Sequence, residues 1–352
     1  MIVYWSMVAI PAFFALGEQR GTRDRTLEIL VFLTLGALWL ILAFRQTGGD
    51  YSTYLILFHQ LAEQPLYVAM FWTEPLYGLL NWTMAQAGLG MSCVNGACSL
   101  IFFYGLWRFV RIQPYPYLVL SLSVPYLVIV VAMGYTRQGV ATGLIMLGLC
   151  FLMERRLLPF VLSVVAATGF HSSAAIALPL LLLADLEFRS KLLERMTKLA
   201  TVLIGLAGLL QSVAAQFGDY VEFYVESDRY QSGGAVLRAS VTAAAALAFV
   251  FYRSDWKAEF RDYRIFYGFS IVALAMIPLA FIQSTAADRI GLYLIPYQIA
   301  VFGRLPVLQR AGFDATLMKL GVLLAYLLYF FTWLHLGSFS QLLWVPYRSE
   351  LF

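Results

Sequence analysis

Apolar runs of membrane-spanning length recur along the whole chain, separated by short polar segments. A bilayer crossing needs ~20 predominantly apolar residues, so this pattern predicts spanning helices rather than the one-sided stripes of soluble ones. The runs predict helices near 1–16, 28–44, 138–153, 157–169, 173–184, 199–214, 235–252, 265–282, 290–307 and 316–335. Several are short for ~30 Å of hydrocarbon, and 157–184 also reads as a tight pair flanking a cavity. The alternation of a transmembrane β-barrel, over ~10-residue segments, is missing. The expected fold is all-α, a single polytopic domain over 1–352 with roughly 11–14 transmembrane or re-entrant helices.

The polar segments supply orientation. "EQRGTRDR" (Arg20, Arg23, Arg25), "ERR" (Arg155, Arg156), "DLEFRSKLLERMTK" (Arg189, Lys191, Arg195, Lys198) and "RSDWKAEFRDYR" (Arg253, Lys257, Arg261, Arg264) carry clustered cations. The positive-inside rule makes all four cytoplasmic. The outward segments are then 45–74, 134–137, 170–172, 215–234, 283–289 and the tail from about 336, with 45–74 and 215–234 the longest periplasmic ones. One stretch resists this assignment. Residues 45 and 137 both fall outside, yet three apolar runs (75–89, 92–107, 115–134) lie between them. Either the amphipathic segment 51–72 crosses, or one run is re-entrant, and the side on which Arg108 and Arg111 stand depends on which.

Composition agrees with the pattern: 61% of residues are hydrophobic and only 12% charged, which excludes an ordinary soluble domain. The net charge of +4 adds little. Cys93, Cys98 and Cys150 all lie in apolar runs and read as small buried hydrophobes.

Candidate chemistry concentrates on the outward side. "GYTRQGVATGLIM" sets Arg137 at the start of an apolar helix, against the positive end of its dipole. A helix N-terminus with a guanidinium is a strong anion site; the alternative is an interfacial arginine reaching water or a local carboxylate. Gly139, Ala141 and Gly143 behind it permit close approach of a neighbouring helix or a ligand. "GFHSSAAIALPL" places His171 in a short outer turn, where an imidazole suits proton transfer or simply bonds a loop carbonyl. "STAADRIGLYLIPY" puts Asp288 and Arg289 before a helix expected to begin near Ile290. "RQTGGDYSTY" carries Arg45 and offers Asp50, Tyr51 and Tyr54 to sugar hydroxyls and ring faces, or makes an interfacial aromatic turn. "TEPLYGLLN" reads as a helix start with Thr73 as cap and Glu74 in the first turn. No metal-ligand spacing, phosphate-binding glycine loop or nucleophile elbow accompanies these residues.

The ordered set "GGDYSTY", "EPLYGLLN", "TRQGVA", "FHSSAAIALP", "DRIGLY" and a late "VPY" resembles the EpsG family of Wzy-type polysaccharide polymerases. The resemblance implies a metal-independent membrane glycosyltransferase without a cofactor, in the class of O-antigen ligases and polymerases, making O-antigen or exopolysaccharide. It implies transfer of a growing glycan from undecaprenyl diphosphate to a hydroxyl of an undecaprenyl-diphosphate-linked repeat unit, at the outer face of the bacterial inner membrane. A chain-length-determining co-polymerase is an implied partner; nucleic acid is not. On this reading Arg137 and Arg289 bind diphosphate, and His171 is the base, with Asp50 or Glu74 behind it. Arg45, Tyr51, Tyr54, Gln138, Ser172, Tyr293 and Tyr347 are the expected substrate contacts. A flippase or transporter for a lipid-linked sugar, or a ligase, needs similar cationic groups, and both stay open.

Overall fold

The structure, a computed structural model, describes residues 1–20, 25–183, 191, 195–196, 199–201, 203, 234–308 and 314–351. Most of the expected helix 199–214, the outer segment 215–234 up to Gly234, and the cations Arg23, Arg189 and Lys198 lie outside the described residues. Two compact units build the chain: Met1–Leu147 with Gly169–His171 and Gly303–Phe352, and Gly148–Thr168 with Ser172–Phe302.

The first unit holds α1 (Ile2–Gly17), α2 (Arg25–Ala43), α3 (Tyr51–Ala62), α4 (Leu66–Trp72), α5 (Pro75–Gln86), α6 (Met91–Arg111) and α7 (Pro116–Ser123). Beyond Ser123 the α7 helix continues as a π-helical stretch, Val124–Ala132. The chain passes to the second unit within α8 (Thr136–Met153). There it forms α9 (Leu157–Phe170), a 3-10 segment (Ser172–Leu183), α10 (Ala235–Phe251), α11 (Arg253–Glu259), α12 (Tyr263–Ile282), α13 (Ser284–Leu292) and α14 (Ile295–Arg304). It returns to the first unit for α15 (Ala315–Leu336) and α16 (Ser338–Leu343). Helices α2, α6, α8, α12 and α15 are long and apolar enough to cross a membrane, and α10 with α11 forms a pair bent by 74°. Among the described residues four shorter apolar helices accompany them: α1, α7 with its π continuation, α9 and the 3-10 segment. Among the described residues no strand forms, only an isolated pairing of Arg45 with Ser349. The protein is an all-α, multi-pass membrane protein.

Helix α2 shows why these elements suit lipid. Val31, Leu35, Leu38 and Leu42 recur at helical spacing and are buried, while Ile29, Phe32, Leu33 and Leu40 are exposed. An apolar exposed face is stable only against hydrocarbon. The buried side packs on α6, where the Trp39 indole donates to the Gly96 carbonyl at 2.9 Å. The Arg111 guanidinium at the end of α6 meets Glu28 at the start of α2 at 3.1 Å, so the two helices run antiparallel. At that same Glu28 end, the buried Glu18 carboxylate accepts from the Tyr117 and Leu118 amides (3.0 and 3.1 Å), capping α7. Lys319 of α15 donates to the Ala15, Leu16 and Glu18 carbonyls and caps α1.

This arrangement resolves the 45–137 stretch. Segment 51–72 is two short helices, with Tyr54, Phe58 and Leu61 buried on α3 and His59 and Gln60 exposed. At 12 residues, α3 and α5 each rise only about 18 Å, too little to cross. Only α6 and α7 with its π stretch run from one end of the unit to the other, an even number, and Arg111 stands at the Glu28 end.

Three expected helices differ. The single helix 290–307 is broken: the Tyr293 and Leu294 amides bond the Ile290 and Gly291 carbonyls, closing α13, and Pro296, the second residue of α14, has no amide to continue the ladder. Arg289 therefore sits in the last turn of α13, not before a helix start. Residues 172–183 are 3-10 rather than α, with Pro179 removing an amide at their centre. The run 115–134 turns from α to π one residue before Pro125, which has no N–H for the α ladder.

At the end opposite Glu28, residues 343–350 fasten the first unit. The Trp344 indole donates to the Ile129 carbonyl of the π stretch at 3.0 Å, and the Trp344 carbonyl accepts from the Tyr4 hydroxyl at 2.6 Å. Backbone bonds join Gly48 to Leu343, Gln46 to Arg348 and Glu350 to Phe44. Gly48 turns there with φ at 128°, and a Cβ on it would lie 2.6 Å from the Met133 carbonyl. Only glycine satisfies both conditions.

Candidate active site

Arg137 finds its counter-charge in Glu74. Both residues open helices of the first unit: Glu74 is the N-cap of α5, followed by Pro75 at the first position, and Arg137 is the second residue of α8. The Glu74 carboxylate does not bond the amides of its own helix. Instead Arg137 Nη1 donates to Glu74 Oε2 at 2.7 Å and to Thr73 Oγ1 at 3.1 Å. The other oxygen, Oε1, meets His171 Nδ1 at 3.0 Å. One carboxylate thus joins a guanidinium 63 and an imidazole 97 residues further along the chain.

The three side chains are neither sealed nor free in solvent. Arg137 is 30% exposed, His171 18% and Glu74 14%. Burial by itself raises the Glu74 carboxyl, but the His171 hydrogen bond and the Arg137 charge outweigh it and hold the group at about 2. Glu74 is therefore ionised and accepts from both neighbours. The carboxylate fixes the proton on His171 Nδ1, which turns Nε2 away from Glu74 as the imidazole's working nitrogen.

Aromatic rings hold Arg137 from below. Its guanidinium carbon lies 5.5 Å from the centre of the Tyr54 ring and 5.8 Å from that of Tyr77. The two rings pack on each other at 5.7 Å and belong to a buried cluster with Phe58, Met91, Val94, Cys98, Val140 and Phe170. The Tyr54 hydroxyl donates to Asp50 Oδ2 at 3.2 Å. Both Arg137 bonds leave from Nη1, and its Nε is buried without a partner. Nearby, Arg45 is only 2% exposed and donates to the Thr47 carbonyl (2.8 Å) and to Thr136 Oγ1 (2.6 Å), beneath the residue that precedes Arg137. Tyr51 stacks near Arg45 at 5.9 Å.

Of the residues expected from sequence, the first unit brings together Glu74, Arg137, His171, Tyr54 and Asp50, with Arg45 and Tyr51 as support. Gln138 is buried beside Arg137, and its carbonyl accepts from Thr142. Tyr347 bonds the Ile41 carbonyl at 2.8 Å from the 343–350 segment. Ser172, Arg289 and Tyr293 belong to the second unit. There Tyr293 shares a 3.0 Å hydrogen bond with Ser173, and Asp288 pairs with Arg238 Nε at 2.8 Å. Sequence reasoning missed Tyr77, although its place three residues after Glu74 on one helix face was a usable signal. It also left Thr73 as a cap, where the structure gives its hydroxyl to Glu74 and Arg137.

Among the described residues no three His, Cys, Asp or Glu side chains gather into a metal set. The arrangement supplies a cation for an anionic group, a carboxylate-steadied imidazole for a proton, and aromatic walls.

Compared with known proteins, the chain matches no curated protein and no solved structure. Residues 28–349 match the EpsG family, so Glu74, Arg137 and His171 all stand inside the matched region. Covering nearly the whole chain, that match places the protein in the EpsG family, with a role of the polysaccharide-polymerase type.

Proposed function

We propose that the protein elongates a polysaccharide by moving the growing glycan from undecaprenyl diphosphate to a hydroxyl of an undecaprenyl-diphosphate-linked repeat unit. The observation that supports this most is the single carboxylate shared by Arg137 and His171. Arg137 takes the donor diphosphate, whose oxygens suit the fixed fork of a guanidinium. His171 Nε2 takes the acceptor hydroxyl proton. The acceptor oxygen then attacks the anomeric carbon as its bond to the diphosphate oxygen breaks, and the bonding pair leaves on the lipid diphosphate. Glu74 stabilises the imidazolium until its proton passes to water. A diphosphate is a good leaving group, so charge stabilisation replaces a general acid and the step needs no metal. Direct displacement inverts the anomeric centre.

Asp50, Tyr51 and Tyr347 serve the sugars on this reading, while the buried Tyr54 supports Arg137 and Asp50 from beneath. The cations Arg20, Arg25, Arg108 and Arg111 argue for a cytoplasmic Glu28 end, which turns Arg137 and His171 to the periplasmic side. The test is polymer formation by purified protein in bilayers given lipid-linked repeat units. A ladder of products supports polymerisation; transbilayer movement of the lipid without a product would favour the flippase reading. His171→Ala lowers the rate by ~10²–10⁴-fold, the usual worth of a general base.

A further inference from the structure

Glu74 is the only acid within ion-pair reach of Arg137 among the described residues, and it occupies the position an anionic ligand would need. Its two oxygens do different work: Oε2 holds the guanidinium and Oε1 holds the imidazole. A ligand that displaces Oε2 does not set Glu74 adrift, because Oε1 keeps its bond to His171. We propose that Glu74 is an internal stand-in for the diphosphate: an incoming diphosphate takes Arg137 from it, and the released carboxylate turns wholly to His171. Binding the donor and preparing the base are then one event. This deepens the polymerase reading and rests on its assignment of Arg137 to diphosphate.

Four features of the geometry carry it. The Arg137–Glu74 contact is a single Nη1 bond rather than a two-pronged pair, so a multiply charged ligand gains more from the guanidinium than one carboxylate does. Arg137 Nε is buried with no partner, an unused donor on the same group. The Tyr54 and Tyr77 rings hold the guanidinium in place when its partner changes. Thr73 Oγ1, bonded to both Arg137 and Glu74 Oε2, is a neutral contact that remains to the arginine after the exchange. The group that contacts His171 in the first unit is Glu74 from the head of α5, which Arg137 of α8 meets in turn, with Tyr54 and Asp50 of α3 and its cap on the far side of Arg137. Glu74 acts through Arg137 and His171 and is a positioning residue.

The experiment uses the whole protein in nanodiscs with inorganic pyrophosphate as the probe. Glu74→Gln removes the competing charge and keeps the shape, so it binds pyrophosphate about tenfold more tightly than the wild type while its polymerisation rate falls. A purely structural Glu74 would instead weaken both. Equal or weaker binding by Glu74→Gln overturns the stand-in role and leaves the polymerase reading in place. Failure of the wild type and Glu74→Gln alike to bind pyrophosphate overturns the stand-in and the diphosphate assignment together. A measurement on the wild type keeps the test independent of how well the variant folds. With nitrogen-labelled histidine, and His59 and His335 assigned by substitution to Gln, pyrophosphate shifts the His171 Nδ1 signal towards a stronger hydrogen bond. An unmoved signal at saturating pyrophosphate overturns the proposal.

Discussion

Arg137 is a cation placed where a helix dipole disfavours it, and its neighbours make it tenable. Glu74 neutralises it, Thr73 accepts a second bond, and two tyrosine rings face it. The tyrosines make separable predictions. The Tyr77 hydroxyl has no partner, so Tyr77→Phe leaves pyrophosphate affinity within about twofold, whereas Tyr77→Leu loses a ring worth ~0.5–2 kcal/mol and weakens binding up to about thirtyfold. Calorimetric titration distinguishes them. Arg137→Lys keeps the charge but not the fork, and donor affinity falls about tenfold or more in the same assay. Acid is a further probe. Glu74 titrates at about 2 in the folded protein against an ordinary 4.5, so its stabilisation is complete above 4.5 and disappears as pH falls towards 2. Thermal melts between those limits show a decline in the wild type that is smaller in Glu74→Gln. The sequence displayed each member of this group, and "EPLYGLLN" even carried two of them in register. It did not display the pairing, because a bond between residues 74 and 137 leaves no periodicity in either segment.

Helix packing decides where those side chains arrive. Gly143 of α8 lies against α6, where a Cβ would stand 2.6 Å from Phe102 Cα, and a Cβ on Gly139 would stand 2.8 Å from Ala132 Cα. The expectation that small residues after Arg137 permit close approach is met by a neighbouring helix. Gly143→Val therefore separates α8 from α6 and destabilises the protein by about 1–3 kcal/mol, read as a lowered melting temperature in detergent. Long apolar elements such as α2, α6 and α15 were legible because hydrophobicity alone specifies them. The π stretch, the 3-10 segment and the break between α13 and α14 were not, since each depends on where a proline's missing amide leaves the backbone. Arg289 shows the cost of that blindness: the same residue moves from an expected helix start to a helix's last turn.

The even count of crossings between residues 45 and 137 gives the molecule a checkable polarity. Single cysteines in a Cys93, Cys98 and Cys150-free background answer it: one at Gln64 reacts with an impermeant maleimide from outside intact cells, and one at Arg111 only after lysis. At the scale of the whole chain, chelation is a second check: the proposed mechanism predicts polymerisation unchanged in EDTA. The clasp at 343–350 has a consequence in time. Every segment it fastens, from Tyr4 through Gly48 to Ile129, leaves the ribosome and enters the bilayer long before Trp344 is translated. The helices that present Glu74 and Arg137 thus insert without their last fastening, so each newly made copy passes through an interval in which its helices are in the membrane and the clasp is still open. A chain stopped before Leu343 lacks the Gly48–Leu343 bond that braces the turn where the Asp50 amide meets the Gly134 carbonyl.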